Sequence, residues 1–288
     1  MYKQQIFTIT GGLILLVGLY LLGPTVNPNK SKVATGEATT GNDSTIFQIE
    51  DFKKAMVAEL SSERQKYLAA LEANVKRGDV KDQQHTLNHL LAGFWKDSVP
   101  NPILHYYYAS KLAKLDNTEK SLTFAAHSIL GYLAFEQNHD LQHWLAGEGK
   151  QLFEKALVLN ASNDSSIVGL GGCIMYGAPT GDDGNPMAGI MKVREVAERD
   201  STNMHAQYML GVGGIISGQF DKAIERFEKV AKSGKGNHIE VLFKLAEACE
   251  RAGNKEKAAL TYQEIESEVA NPAMKEELKK RIKTLREG

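Results

Sequence analysis

NMHAQYMLGVGGIISGQFDKAIERFEKVAKS (residues 203–233) states a unit that the rest of the chain repeats with variations. Its halves read as two helices, Met204 to Ser217 and Asp221 to Lys232. In the second half Phe220, Ala223, Ile224, Phe227, Val230 and Ala231 fall at offsets 0, 3, 4, 7, 10 and 11. That is the apolar stripe of a 3.6-residue period, so this half is an amphipathic helix. Its other face carries Asp221, Lys222, Glu225, Arg226, Glu228 and Lys229, with Glu225 and Lys229 placed as a favourable i,i+4 pair. Gly218 accepts the left-handed turn that ends a helix, and two helices with so short a link fold back as an antiparallel hairpin.

The arrangement returns downstream. From Leu210 the marks are Gly211, Gly218, Ala223, Phe227 and Val230; from Leu245 they are Ala246, Gly253, Ala258, Tyr262 and Ile265, each 35 residues further on. A single hairpin cannot bury its own apolar face, so this period implies hairpins stacked on one another. In the small, small and aromatic marks of GQFDKAIERFEKV (218–230) and AGNKEKAALTYQEI (252–265) the chain resembles the tetratricopeptide repeat (TPR) family. The resemblance covers most of residues 65–270 and is strongest from 188 onward. It implies an all-α, right-handed α-solenoid of antiparallel helix hairpins, with protein or peptide partners bound in its concave groove.

Composition agrees with an ordinary globular chain, at 42% hydrophobic and 24% charged residues over 288 positions. The formal net charge of -1 lacks the electrostatic footprint of a nucleic-acid binder. Ile6 to Leu22 runs for 17 residues without a charge and extends through Gly23, Pro24 and Thr25 to Val26, enough to cross a bilayer. No small-x-small cleavage site follows closely, so residues 1–26 read as an uncleaved N-terminal transmembrane signal anchor rather than a cleaved signal peptide. Residues 27–45, rich in Asn, Lys, Ser, Thr and Gly, read as a flexible polar linker, and 46–288 as the helical-repeat domain. Lys3 before the run and Lys30 and Lys32 after it nearly balance, but short amino-terminal tails stay in the cytoplasm. The expected location is therefore a bacterial inner membrane, crossed once, with the soluble domain in the periplasm.

In chain order, Ile49, Phe52, Met56, Leu60, Tyr67, Leu71 and Val75 mark one long stripe ending at Gly78-Asp79, and Leu87, Leu90, Leu91 and Trp95 mark a returning helix. A second hairpin follows from Tyr108, with Ala109, Asp116, Ser121, Ala125 and Ser128 at the same offsets as those from Leu210. QLFEKALVLNASND (151–164) reads as a second helix and closing turn, yet residues 121–144 give it no clean partner, so one helix is shared or irregular there. Leu170-Gly171 opens the next unit, whose marks Gly189, Val193 and Val196 come six residues late because 176–186 form a loop. Asn271-Pro272 caps a last helix carrying Met274, Leu278, Ile282 and Leu285.

Residues for chemistry are sparse. His85 with His89, and His139 with His143, stand at i,i+4 and could share a metal, but neither pair has a HExxH signature or a third ligand nearby in sequence. The loop 180–185 lacks the alternating oxygen ligands and closing Glu of a calcium loop. Cys173 and Cys249 lie on apolar stretches of first helices and read as buried thiols. Glycines 169, 171, 172, 211, 213 and 214 follow no strand and precede no Gly-Lys-Ser/Thr, so they read as points of close helix approach rather than a phosphate loop.

No catalytic, cofactor-binding or metal residue is assigned, and no nucleic acid or small-molecule substrate is expected. In the stack that the TPR resemblance implies, first-helix residues outside the packing marks line the groove: His205, Tyr208 and Val212, then Glu240, Phe243, Glu247 and Arg251. The function read from these features is a membrane-anchored, non-catalytic scaffold for protein partners in the assembly or organisation of envelope complexes. A metal-dependent hydrolase using the histidine pairs is the alternative.

Overall fold

A computed structural model of the chain describes residues 47–77, 81–177 and 185–287. The anchor and linker expected at 1–26 and 27–45, and most of the loop after Tyr176, lie outside the described residues. Among those described, no helix is long and apolar enough to cross a membrane. The described residues form thirteen α-helices and one π-turn. They are α1 (Ile49–Ala58), α2 (Ser62–Arg77), α3 (Lys81–Gly93) with the π-turn Phe94–Ser98, α4 (Pro102–Asp116), α5 (Glu119–Leu133) and α6 (His139–Leu159). After them come α7 (Asp164–Gly177), α8 (Pro186–Arg199), α9 (Met204–Ile216), α10 (Phe220–Ser233), α11 (His238–Arg251), α12 (Lys255–Glu268) and α13 (Pro272–Glu287). The chain divides into two compact units, one from 46 to 236 and one containing 237–288.

Asparagine starts most of these helices. Asn101, Asn138, Asn163, Asn185, Asn203, Asn237, Asn254 and Asn271 each accept a hydrogen bond on the side-chain oxygen from an amide two or three residues on. Each bond satisfies a helix N-H that has no carbonyl partner within the helix. The turns repeat as well. Asn160 and Asp200 leave α6 and α8 in extended conformation and accept from the amides of Ser162 and Thr202.

In the larger unit helices α5, α7 and α9 pack on one another while α6, α8 and α10 pair with them, giving a TPR-like solenoid of stacked hairpins. Two expectations need correction. The long first stripe is two helices, because Leu60 N-H turns back to the Val57 carbonyl and Ser61 starts α2 by accepting the Gln65 amide at 2.9 Å. The stripe was continuous in pattern while the backbone broke beneath it. Within it Tyr67 stays 48% exposed, as does Leu90 of the return helix at 44%. The second correction concerns α5, expected as the second helix of a hairpin with α4. It packs on α4, α6 and α7, and it leads the pair α5–α6. Leu122, Ala126, Ile129 and Leu133 form one stripe, and Ala125 and Leu130 widen it, so the helix serves neighbours on two sides. It is thus the partner that the sequence did not find for the helix at 151–164, shared between α4 and α6.

The glycines are points of close approach. A Cβ on Gly171 would stand 2.5 Å from Val193 Cγ2 and 2.8 Å from the Gly189 carbonyl oxygen. One on Gly172 would meet Met209 and Leu130, one on Gly211 the Phe227 ring at 2.7 Å, and one on Gly213 Ile190 Cγ1 at 2.8 Å. In the smaller unit α11, α12 and α13 bury Leu245, Ala246, Ala258, Tyr262, Ile265, Leu278 and Ile282. Gly253 ends α11 at φ +77, as Gly218 ends α9 at φ +72, and the amides that follow both glycines return to carbonyls five residues back at 2.8 Å.

A pair of alanine substitutions tests the helix approach. Gly171→Ala is expected to lower stability by about 1–2 kcal/mol, since overpacking of about 1–3 kcal/mol outweighs the gain of up to about 1 kcal/mol in helix propensity. Gly147 sits inside α6 with nothing within 4 Å of its Cβ position, so Gly147→Ala is expected to stabilise by up to about 1 kcal/mol. Thermal melts of both variants decide, and shifts of the same sign would mean that α7 and α8 do not meet at Gly171.

Candidate binding surface on the first helices

The expected groove residues fall in both units, three on α9 and four on α11. On α9, His205 and Tyr208 are partly exposed, with the Tyr208 ring edge-on to Phe227 at 5.6 Å. Val212 is only 3% exposed and belongs to the core. The physical reason is the glycine-rich second half of α9, which draws neighbours in until Gly211 to Ile215 are buried without exception. Of the expected groove residues on α9, only those of the first two turns, His205 and Tyr208, remain partly exposed.

On α11 the expectation also divides. Glu240 is partly buried, its amide capped by Asn237. Phe243 is partly buried against Tyr262, the rings 6.3 Å apart. Glu247 is 9% exposed and takes Lys244 at 3.0 Å and Arg251 at 2.9 Å. It is not a groove-facing carboxylate, because desolvation of an acid at that depth requires these two cations. Arg251 is half exposed and spends its charge on Glu247.

The larger unit holds a surface that the sequence did not show. His127 on α5 places Nε2 2.8 Å from Ser165 Oγ on α7, and its ring lies 5.4 Å from the His205 ring on α9. One turn back, Thr123 Oγ1 lies 3.1 Å from the buried Ser166 Oγ. The His127 ring stands edge-on to Phe153 of α6 at 4.9 Å, which fixes its plane. Thr123, His127, Ser165, His205 and Tyr208 thus form a polar and aromatic strip across three consecutive first helices. Burial holds the His127 imidazolium below its ordinary value, and burial together with the charge of His127 takes His205 down to about 4. Both rings are neutral at pH 7 and can donate and accept hydrogen bonds. Sequence reasoning missed Thr123 and His127 because it placed α5 as a second helix, and with them Ser165 of α7, which His127 meets; the i,i+4 pair Thr123 and His127 was the available signal.

The histidine pairs do not converge. His85 pairs with Asp116 at 2.9 Å while His89 is exposed, and His143 takes the Gly177 carbonyl at 2.9 Å while His139 is exposed. Among the described residues, His238, Glu264 and Glu268 of the smaller unit place one ligand atom each within 4.8 Å of one another. Two of the three are solvent-facing carboxylates, and exposed groups of this kind are held apart by water as easily as by an ion. Cys173 and Cys249 are both buried, and burial pushes the Cys173 thiol well above its usual range. Cys173 is therefore not poised as a nucleophile by a lowered pKa.

No protein-family model matches the chain, and no curated protein matches it. Solved structures do resemble it. MamA 41-end from Desulfovibrio magneticus RS-1 is similar with a TM-score of 0.41 and 15% identity, over 65% of this chain and 94% of that one. YrrB, described as a TPR protein with an unusual peptide-binding site, gives 0.40 and 17% over 73% of this chain and 98% of its own. A tetratricopeptide repeat protein from Parabacteroides merdae ATCC 43184 gives 0.40 and 14% over 79% and 88%. The fold is TPR-like. What carries that statement is the chain's own geometry: hairpins closed by glycine at a 35-residue interval, with alternate helices packed on one another.

Below about pH 6.5 the unfolded chain binds protons that folded His127 and His205 refuse. The stability contributed by the neutral rings is therefore complete above 6.5 and lost as pH falls towards 4. His205→Gln is expected to flatten the fall in melting temperature between pH 7 and pH 5, and imidazole NMR should place the His205 midpoint far below 6.5. A His205 midpoint near 6.5 would contradict its burial.

Proposed function

We propose that this chain is a membrane-anchored, non-catalytic scaffold that holds a protein or peptide partner on the first-helix strip of its larger unit. The observation that carries the reading is the strip itself, where Thr123, His127, Ser165, His205 and Tyr208 bring hydrogen-bonding groups and rings together on three stacked helices. Partly exposed aromatic residues beside donors and acceptors suit recognition of an extended or helical segment, since Tyr and Trp dominate binding energy at interfaces. The uncharged run from Ile6 to Leu22 and the polar stretch after it support an anchor with a tether. On this reading the repeat domain stands in the periplasm of a bacterial inner membrane and organises envelope complexes, with α11 of the smaller unit offering Phe243 and Arg251 as a separate contact face.

Crosslinking of the full chain in membranes tests the strip. Ser165 is exposed, so Ser165→Arg fills the strip without entering the core and is expected to abolish partner capture at an unchanged melting temperature. Glu195→Arg, on an exposed position of α8, is the control and should capture normally. Full capture by Ser165→Arg would place the partner elsewhere. The anchor has its own check: mass analysis of the mature protein should recover the amino terminus with Ile6 to Val26 intact, and a chain beginning between 27 and 40 would overturn it.

A further inference from the structure

Helix α1 is attached unlike any other helix of the larger unit. It buries no residue, whereas α4 to α10 each bury between four and eight. At ten residues it is also too short to be stable by itself. One face holds it. Phe47, just ahead of the helix, stacks between Phe52 at 5.6 Å and Trp144 of α6 at 5.4 Å. Glu50 accepts from Tyr107 of α4 at 2.5 Å and pairs with Lys53 at 2.7 Å, and Lys53 reaches Glu72 of α2 at 3.2 Å.

The surface beneath is a mixed groove: Ile49 and Phe52 pack on both apolar clusters of the larger unit, Met56 and Val57 pack on the one built from Leu68, Leu71, Leu91 and Trp95, and polar and aromatic side chains meet the helix as well. Tyr107, Lys111 and Trp144 meet there, with Lys111 Nζ 2.6 Å from the Tyr107 hydroxyl and 4.0 Å from the centre of its ring. Tyr108 donates to Glu72 at 2.5 Å, which fixes the acceptor that Lys53 uses. Removing α1 would expose two aromatic rings and a lysine in one place. Such a patch is expensive on a free surface and is the usual make-up of a hot spot. The polar stretch 27–45 precedes α1 in sequence, and the break at Glu59 to Ser61 separates it from α2, bridged by Gln65 Nε2 donating to the Leu60 carbonyl at 2.9 Å.

We propose that the face formed by α2, α4 and α6 is a receptor for an amphipathic helix, and that α1 is its resident, tethered ligand. The displacing partner is a helix of the same chemistry, with aromatic side chains at the positions of Phe47 and Phe52 and a carboxylate at that of Glu50. Being covalently tethered, α1 competes at an effective concentration in the millimolar range. Weak external helices are thereby refused. On the reading of the chain as a protein scaffold, on which this rests, α1 decides when the second site opens.

The test uses a labelled synthetic peptide of residues 47–60 and the full chain. Substitutions confined to the strap, Glu50→Gln with Phe52→Ala, leave the receptor intact and should tighten peptide binding by about tenfold or more, since the competent fraction rises. Adding Trp144→Ala to that variant should remove the gain. The melting temperature of the strap variant should stay close to that of the parent. Absence of a gain, a gain that survives Trp144→Ala, or a large loss of melting temperature would each overturn the proposal and make α1 part of the core. Because the peptide assay needs no natural partner, its failure leaves the Ser165→Arg capture experiment standing. Failure of capture with success of the peptide would remove the scaffold reading alone.

Discussion

The larger unit depends on how closely other helices can approach α7. Gly169 lies under the Phe153 ring of α6, Gly171 against Val193 and the Gly189 carbonyl of α8, and Gly172 between Met209 of α9 and Leu130 of α5. Each glycine costs a helix up to about 1 kcal/mol in propensity. The cost is offset because four neighbours reach one backbone, where dispersion contacts are densest. The same closeness makes the candidate surface possible. His127 of α5 and His205 of α9 come within 5.4 Å of one another only because α7, lying between them, presents the small Ser165 at that level. Core and surface thus share one constraint.

Much of the fold was legible because the chain writes its helix ends in side chains. The expected cap at Asn271 and the left-handed turn at Gly218 are both present, and the 35-residue marks coincide with matching turns at Gly218 and Gly253. Where the marks slipped, another residue took the role. The turn between α4 and α5 uses Asn117 at φ 51, one position beyond the Asp116 that stood at the glycine offset. Asparagine tolerates that conformation at lower cost than other side chains. The break at Glu59 to Ser61 was hidden for a different reason. An apolar stripe reports which face is buried, and two helices lying on the same surface continue it without a continuous backbone.

The site was less legible, and the failures have one cause. Whether a first-helix residue faces a groove is decided by what packs beside it, not by its place in the repeat. Val212 occupied a groove position and lies in the core, while Glu247 occupied another and is sealed by Lys244 and Arg251. His127 was passed over because offsets alone assigned α5 to the wrong half of a hairpin. Packing on three neighbours gave that helix a first-helix face that no motif marks.

The two terminal helices of the described chain show how differently an amphipathic helix can be fixed. In the smaller unit α13 buries Met274, Leu278 and Ile282, and Arg281 is paired with Glu250 through its Nε at 3.0 Å and a second guanidinium nitrogen. Bidentate pairing resists separation, because both bonds must break before either group is rehydrated. In the larger unit α1 lays Ile49, Phe52, Met56 and Val57 on the core without burying any of them fully, and adds a phenol and single-point lysine contacts. Aromatic surfaces that remain half wet lose little on separation, and a flexible lysine exchanges its carboxylate for water readily. Helix length and side-chain chemistry act in the same direction, favouring a permanent cap on one unit and an exchangeable one on the other.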